Sequence, residues 1–243
     1  MTLVVLFLAA LWAGAQNALA GGGSFVTLPA LMFTGMDARA ANITSTIALF
    51  PAQIATALTG RSLVTGAAGL SFPALVGISL LGGAIGAVLL LVTPSSFFAH
   101  LVPWLVLFAT LVFAWGSFAP RRDSRAHLSR QGAAGAQFAI AIYGGYFGGG
   151  IGFLMLAALT AAGLLMRNAG ATKNALAGVM NASAVLIFVF SPEVRWLQAG
   201  IASAGAITGG ILGGLLLHKL NERLLRVVIV LIGLALTIGL FIR

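Results

Sequence analysis

Two glycine-rich breaks sit inside apolar runs that are otherwise long enough to cross a bilayer. The first is Gly21-Gly22-Gly23-Ser24, reached after an apolar run from residue 3. The second is Gly144-Gly145-Tyr146-Phe147-Gly148-Gly149-Gly150-Ile151-Gly152. Backbone leaves the helix at membrane depth only where it is buried in protein or lines a cavity. A pair of such breaks at corresponding places in two halves points to a transporter's binding site.

The runs themselves exclude a soluble chain. Hydrophobic residues make up 60% and charged residues 7%, against roughly 25% charged in a soluble domain. A transmembrane β-barrel would alternate apolar and polar positions with turns every ~10 residues. Here the runs reach the ~20 residues that a spanning helix needs. The expectation is an all-α integral membrane protein, multi-pass in the inner (plasma) membrane. Its eight apolar spans lie near 3–33, 42–60, 64–92, 97–118, 134–164, 173–190, 196–217 and 224–242. Ala18-Leu19-Ala20 imitates a cleavage site, but no Lys or Arg precedes Arg39 and the apolar character continues. This segment therefore reads as the first helix rather than a leader.

Thirteen Lys and Arg stand against four acids, a formal charge of +9. Basic loops on the cytoplasmic side and attraction to anionic lipid account for such an excess, and nothing here suggests a nucleic-acid domain. There is no cysteine, and the three histidines are far apart. Disulfides and thiol chemistry are excluded, and neither a metal site nor a cofactor is expected.

The chain divides at one polar connection, 119–132, which carries Arg121, Arg122, Asp123, Arg125, His127 and Arg130. It separates a first repeat, 1–118, from a second, 133–243, with four spans in each. A shift of 131 places Gly14 on Gly145, Gly21 on Gly152, Ala38 on Ala169 and Ala40 on Ala171. A shift of 127 places Gly82, Gly83 and Gly86 on Gly209, Gly210 and Gly213, a spacing suited to close helix packing in lipid. Pro94 and Asn221 have the character of helix starts.

Candidate binding residues gather around the breaks. A half-helix beginning at Gly21, Gly22 and Gly23, with Ser24 as its cap, presents unbonded N–H groups and the positive end of a dipole to an anion. Gln16 and Asn17 lie just upstream and need partners in hydrocarbon. Gly148, Gly149 and Gly150 offer the same in the second half. After each break a polar set opens the next helix: Arg39, Asn42, Thr44, Ser45 and Thr46, followed by Gln53, in the first half; Thr172, Lys173, Asn174, Asn181 and Ser183 in the second. Asn42 and Thr46 share a face, and Asn174, Gly178 and Asn181 form one stripe. Arg39 and Lys173 mark a substrate path if the links fold inward, and only topology if they do not. The four acids, Asp37, Asp123, Glu193 and Glu222, fall in expected loops or helix ends. Cation pumps and proton relays place acids within spans, so the expected ligand is an anion. No paired carboxylates, Ser-His-Asp set, P-loop or dinucleotide fingerprint occurs, and no enzyme activity is expected.

Two ordered stretches carry a family resemblance. The first is Gly21-Gly22-Gly23-Ser24-Phe25-Val26-Thr27-Leu28-Pro29, followed by Ala40-Ala41-Asn42-Ile43-Thr44-Ser45. The second is Gly145 to Gly152, followed by Lys173-Asn174 and Asn181. Together with the four-plus-four plan, the chain resembles the TauE/SafE (DUF81, TSUP) family of sulfite and sulfonate transporters along its whole length. It departs from that pattern at Ala18, Ala20 and Thr160. The resemblance implies secondary transport, without ATP, of small sulfur-containing anions such as sulfite, sulfonates or related acids. Alternating access around a midplane site fits the repeats; a passive anion channel and a non-transporting scaffold are the other readings. A coupling proton or ion and a homodimer are compatible partners. Eight plain crossings divide the basic residues seven to six and leave orientation open. Broken first spans favour halves that are inverted relative to each other.

Overall fold

A computed structural model describes residues 1–19, 22–118, 128–216 and 222–242. Among the described residues there are ten α-helices: α1 Thr2–Leu19, α2 Ser24–Met32, α3 Ala38–Thr59, α4 Phe72–Val92, α5 Ser95–Phe118, α6 Arg130–Tyr146, α7 Ile151–Ala161, α8 Met166–Phe188, α9 Trp196–Leu216 and α10 Glu222–Ile242. Eight are long and two, α2 and α7, are short. The expected spans at 3–33 and 134–164 are thus each split in two. The span expected from residue 64 begins instead at Phe72. The chain turns at Ala68 and Gly69, where φ is positive, and Ser71 caps α4 by accepting from the Ala74 N–H at 3.4 Å. Pro94 directly precedes α5, and its carbonyl accepts from the Phe98 N–H at 3.0 Å. Asn221 and most of the polar connection lie outside the described residues.

The surface is apolar. Phe97, Trp104, Trp115, Leu186 and Ile211 are among the large hydrophobic side chains exposed, and α4 and α5 are each long and apolar enough to cross a membrane.

Glycine decides which helices touch. Methyl groups on Gly205, Gly209 and Gly213 of α9 would strike backbone at Phe7, Leu11 and Ala15 of α1, in the same order along both helices. These helices therefore run parallel and in contact. Gly82 and Gly86 of α4 likewise meet Phe138, Ala141 and Ile142, then Ile142 and Tyr146, of α6. Each pair joins the first helix of one half to the third long helix of the other. At the centre α3 and α8 run antiparallel, since Gln53 meets Asn181, Ala57 meets Gly178 and Gly60 meets Ala171. The α5–α10 pair is also antiparallel: Trp104 stacks edge-on against Phe241, Thr110 meets Gly233, and Arg226 Nη1 donates to the Ser117 carbonyl at 3.2 Å.

Replacing Gly209 by Ala is expected to lower stability by about 1–3 kcal/mol, because the new methyl collides with the Leu11 backbone. Gly77→Ala in α4, where a methyl meets nothing within 4 Å, is expected to leave stability unchanged or raise it. Thermal unfolding of the purified proteins in detergent reads the difference.

Candidate functional site

The first break is a reversal held by amides. Gly22 takes φ +82°, a left-handed conformation that glycine adopts without strain. Gly23 comes back beside α1, so close that a methyl there would lie 2.8 Å from the Ala13 carbonyl. Asn17 Oδ1 accepts from the Gly23 N–H at 2.8 Å, and Gln16 Nε2 donates to the Gly22 carbonyl at 2.8 Å. Gln16 Oε1 in turn accepts from Trp12 Nε1 at 3.1 Å. Backbone groups freed by the turn thus find partners on the preceding helix, as a dry environment demands. The cap expected at Ser24 is displaced by one residue: Gly23 is the N-cap, and Ser24 is the first residue of α2. Asn17 holds the N–H of the cap residue, while the Phe25 and Val26 N–H groups donate to the Gly22 and Gly23 carbonyls at 3.0 Å. Gly21 lies outside the described residues.

The second break reverses through Gly148 and Gly150, at φ +79° and +74°. Ile151, the first residue of α7, packs back against Gly144 of α6. Gly150 caps α7, and no side chain makes a capping hydrogen bond to the helix start. Gly149 turns behind the Phe147 ring.

Both reversals open onto one cavity of about 640 Å³. Asn17, Gly22 and Ser24 reach it from the first hairpin, and Gly148, Gly150 and Gly152 from the second. Lys173 and Asn174 of α8 and Gln53 and Thr56 of α3 complete its polar wall. Pro51, Ala177, Ile207 and Ile211 supply apolar surface. Among the described residues no Asp or Glu lines it. Lys173 lies over Gly152: Nζ is 3.6 Å from where a methyl on Gly152 would stand, an ordinary contact distance. Among the described residues no carboxylate pairs with Lys173; the ion pair found among them is Arg39 with Glu193.

Several expected site residues serve the scaffold instead. Arg39, at the start of α3, donates from Nε to Glu193 Oε2 at 3.0 Å, pairs again through Nη2 with Glu193 Oε1, and donates to the Thr93 carbonyl. It stands four helical turns from Gln53 along α3, about 21 Å at 1.5 Å per residue, because Glu193 in the α8–α9 connection offers it a carboxylate at that end. Asn42 Nδ2 donates to the Tyr146 carbonyl at 3.0 Å, and Thr44 Oγ1 accepts from the Arg195 N–H at 3.4 Å. Ser45 and Thr27 share a hydrogen bond of 2.6 Å. Of the Asn174, Gly178 and Asn181 stripe, only Asn174 lines the cavity; Asn181 Nδ2 donates to Gln53 Oε1 at 2.6 Å, and Gly178 faces Ala57.

Thr56, Gly152 and the apolar wall were not foreseen as ligand-facing. Gln53 had a visible signal, being an amide in an apolar helix two residues after Pro51. Thr56 had none, since a single threonine on a helix donates to its own i−4 carbonyl, as here to Ala52 at 2.9 Å.

The sequence matches the family described as "Sulfite exporter TauE/SafE" over residues 6–240. A "Probable membrane transporter protein" of Haemophilus influenzae is 27% identical over 97% of this chain and 92% of its own length. The "Probable membrane transporter protein YfcA" of Escherichia coli K12 is 27% identical over 96% of this chain and 87% of its own. The "Probable membrane transporter protein ORF9" of a Sinorhizobium species is 26% identical over 98% and 92%. No solved structure matches. With nearly every residue inside that match, the chain belongs to the TauE/SafE family of membrane transporters.

Proposed function

We propose that the protein is a secondary transporter of small sulfur-containing anions, such as sulfite or sulfonates, working by alternating access. One observation carries this reading. The Lys173 ammonium and the N-terminal ends of α2 and α7 converge on a cavity that no carboxylate lines among the described residues. Each helix start contributes about half a positive charge, and where water is scarce such groups hold an anion strongly. The family name points to the same chemistry.

The helix directions support two inverted repeats. Helices α1, α3, α5 and α9 run one way, and α4, α6, α8 and α10 the other. Every long helix of the first half therefore opposes its counterpart in the second: α1 and α6, α3 and α8, α4 and α9, α5 and α10. Counting the short returns α2 and α7, each half traverses the protein five times, and an odd number inverts the next half. The same directions support one orientation. Among the described residues Arg61, Arg130, Arg167, Arg223 and Arg226 fall at one end, and Arg39 and Arg195 at the other. Five basic residues against two favour the first end as the cytoplasmic one. The cavity occupies the halves of α1, α3, α8 and α9 nearest that end. The conformation described is open inward, in the inner (plasma) membrane, with both termini outside.

The outer end is closed by Arg39 with Glu193, by Asn42 with Tyr146 and by Thr44 with Arg195. This seal argues against a passive pore. Transport requires it to open, and a proton or ion gradient is the natural drive for a chain without an ATPase motif. A homodimer is compatible with the apolar surface.

Lys173→Met is expected to reduce uptake of labelled sulfite into proteoliposomes at least ~10-fold, the effect of losing a charge-assisted contact; unchanged uptake removes the lysine from the site. Alkaline phosphatase fused after Arg243 is expected to be active and a fluorescent-protein fusion dark, and the reverse pattern overturns the orientation. The chain has no cysteine, so a single Ser45→Cys, 3% exposed behind the seal, is a clean probe. An impermeant thiol reagent added outside is expected to miss it in the otherwise unaltered protein and to label it once Glu193→Ala is added.

A further inference from the structure

We infer that Asn181 is a positioning residue: by holding the oxygen of Gln53, it forces that side chain to offer the cavity only its NH2 group. The inference rests on the anion reading above and extends it to what sets the sign of the ligand. A glutamine amide has an accepting end and a donating end. Left alone in a cavity wall, it turns either one to the ligand and discriminates nothing. Here Asn181 Nδ2 donates to Gln53 Oε1 at 2.6 Å. Asn181 is 4% exposed on α8, so water does not compete for the bond. Gln53 itself lines the cavity while Asn181 does not. The oxygen is engaged inside the protein, and the group left for the ligand is the donor.

Of the two other amides on this wall, Asn17 and Asn174, the first is tied in the same sense. Asn17 Oδ1 accepts from the Gly23 N–H at 2.8 Å, and Asn17 lines the cavity. Two amides, held by different elements, both keep their oxygens away from the ligand. Lysine supplies attraction over distance; the locked amides supply a short-range test that an anion passes and a neutral or cationic solute of the same size fails.

The test compares purified, reconstituted protein with Asn181→Leu, Asn181→Asp, Asn181→Ser, Gln53→Met and the Gln53→Met/Asn181→Leu double variant, using labelled sulfite competed by methanesulfonate and acetate. Gln53→Met, which removes the donor, is expected to raise KM roughly 10-fold, the size of one charge-assisted hydrogen bond, while kcat stays within ~2-fold. Asn181→Leu, which only frees the amide to turn, is expected to raise KM by less, and the double variant to be no worse than Gln53→Met alone, because Asn181 acts through Gln53. Asn181→Asp is expected to lose transport, since a carboxylate takes the Gln53 NH2 for itself and turns Oε1 to the cavity. Asn181→Ser, whose hydroxyl still donates, is expected to recover part of the affinity. An Asn181→Leu protein with unaltered KM, or additive losses in the double variant, overturns the inference while leaving the anion reading intact. Failure of the unsubstituted protein to move any of the three anions overturns both. Thermal unfolding of each variant separates a lost site from a lost fold.

Discussion

The rest of the structure depends on where the chain's freed backbone groups go at the two reversals. In an apolar surround, each N–H and C=O released from a helix must find a partner inside the protein or face a cavity. At the first reversal Gln16 and Asn17 take the Gly22 carbonyl and the Gly23 N–H. At the second, the Tyr143 carbonyl accepts from the Phe147 N–H at 2.9 Å, and no side chain makes a capping hydrogen bond at the start of α7. The first tip is secured by amides from α1 and the second by its own helix end. Two short helices can then begin within the protein rather than at its surface, and their N-termini remain for a ligand. Without those bonds the hairpins would straighten into plain spans and the cavity between them would vanish.

Bringing the tips together requires the halves to interlock. The contacts of α1 with α9 and of α4 with α6 place the broken helix of each half against a glycine stripe of the other. Hydrocarbon offers no hydrophobic drive for helix association, so close backbone approach must supply it. A glycine stripe allows that approach, and the parallel run of both pairs carries each hairpin past the midline toward its counterpart. The polar contacts follow the same two-fold logic. Thr44 accepts from the Arg195 N–H ahead of α9, and Thr172 accepts from the Thr65 N–H ahead of α4. The departure from symmetry is at Arg39, whose counterpart under the repeat is Gly170. One end therefore has an ion pair where the other has a glycine with nothing packed on it, and the cavity lies toward the glycine end.

Much of this was legible in the residues. The breaks announced themselves because Gly22, Gly148 and Gly150 hold positive φ, which few other residues tolerate. The glycine stripes announced close packing, and the apolar runs announced helices. Direction was not legible, because a run of apolar residues reads the same whether the chain continues or folds back. Hence two expected spans proved to be hairpins. Arg39 and Lys173 occupied similar places in their repeats and looked equivalent. What separates them is Glu193, 154 positions from Arg39 in sequence and in contact with it in space. Ser24 lost its expected capping role because α2 begins one residue earlier, with Gly23 as the cap held by Asn17.

The placement of charge and of amides around the cavity follows from a single asymmetry of hydrocarbon-embedded sites. A carboxylate introduced there would pair with Lys173, so the proposed anion site requires a wall without acids. Amides escape that restriction because they carry both polarities and are neutral. Their sign is not in the residue type but in which end is already engaged. Asn17 is tied by backbone and Gln53 by another side chain. The first tie is as permanent as the hairpin it belongs to. The second spans α3 and α8, one helix from each half, and lasts only as long as those two keep their packing. A shift of α3 against α8 would therefore release the Gln53 oxygen to the cavity.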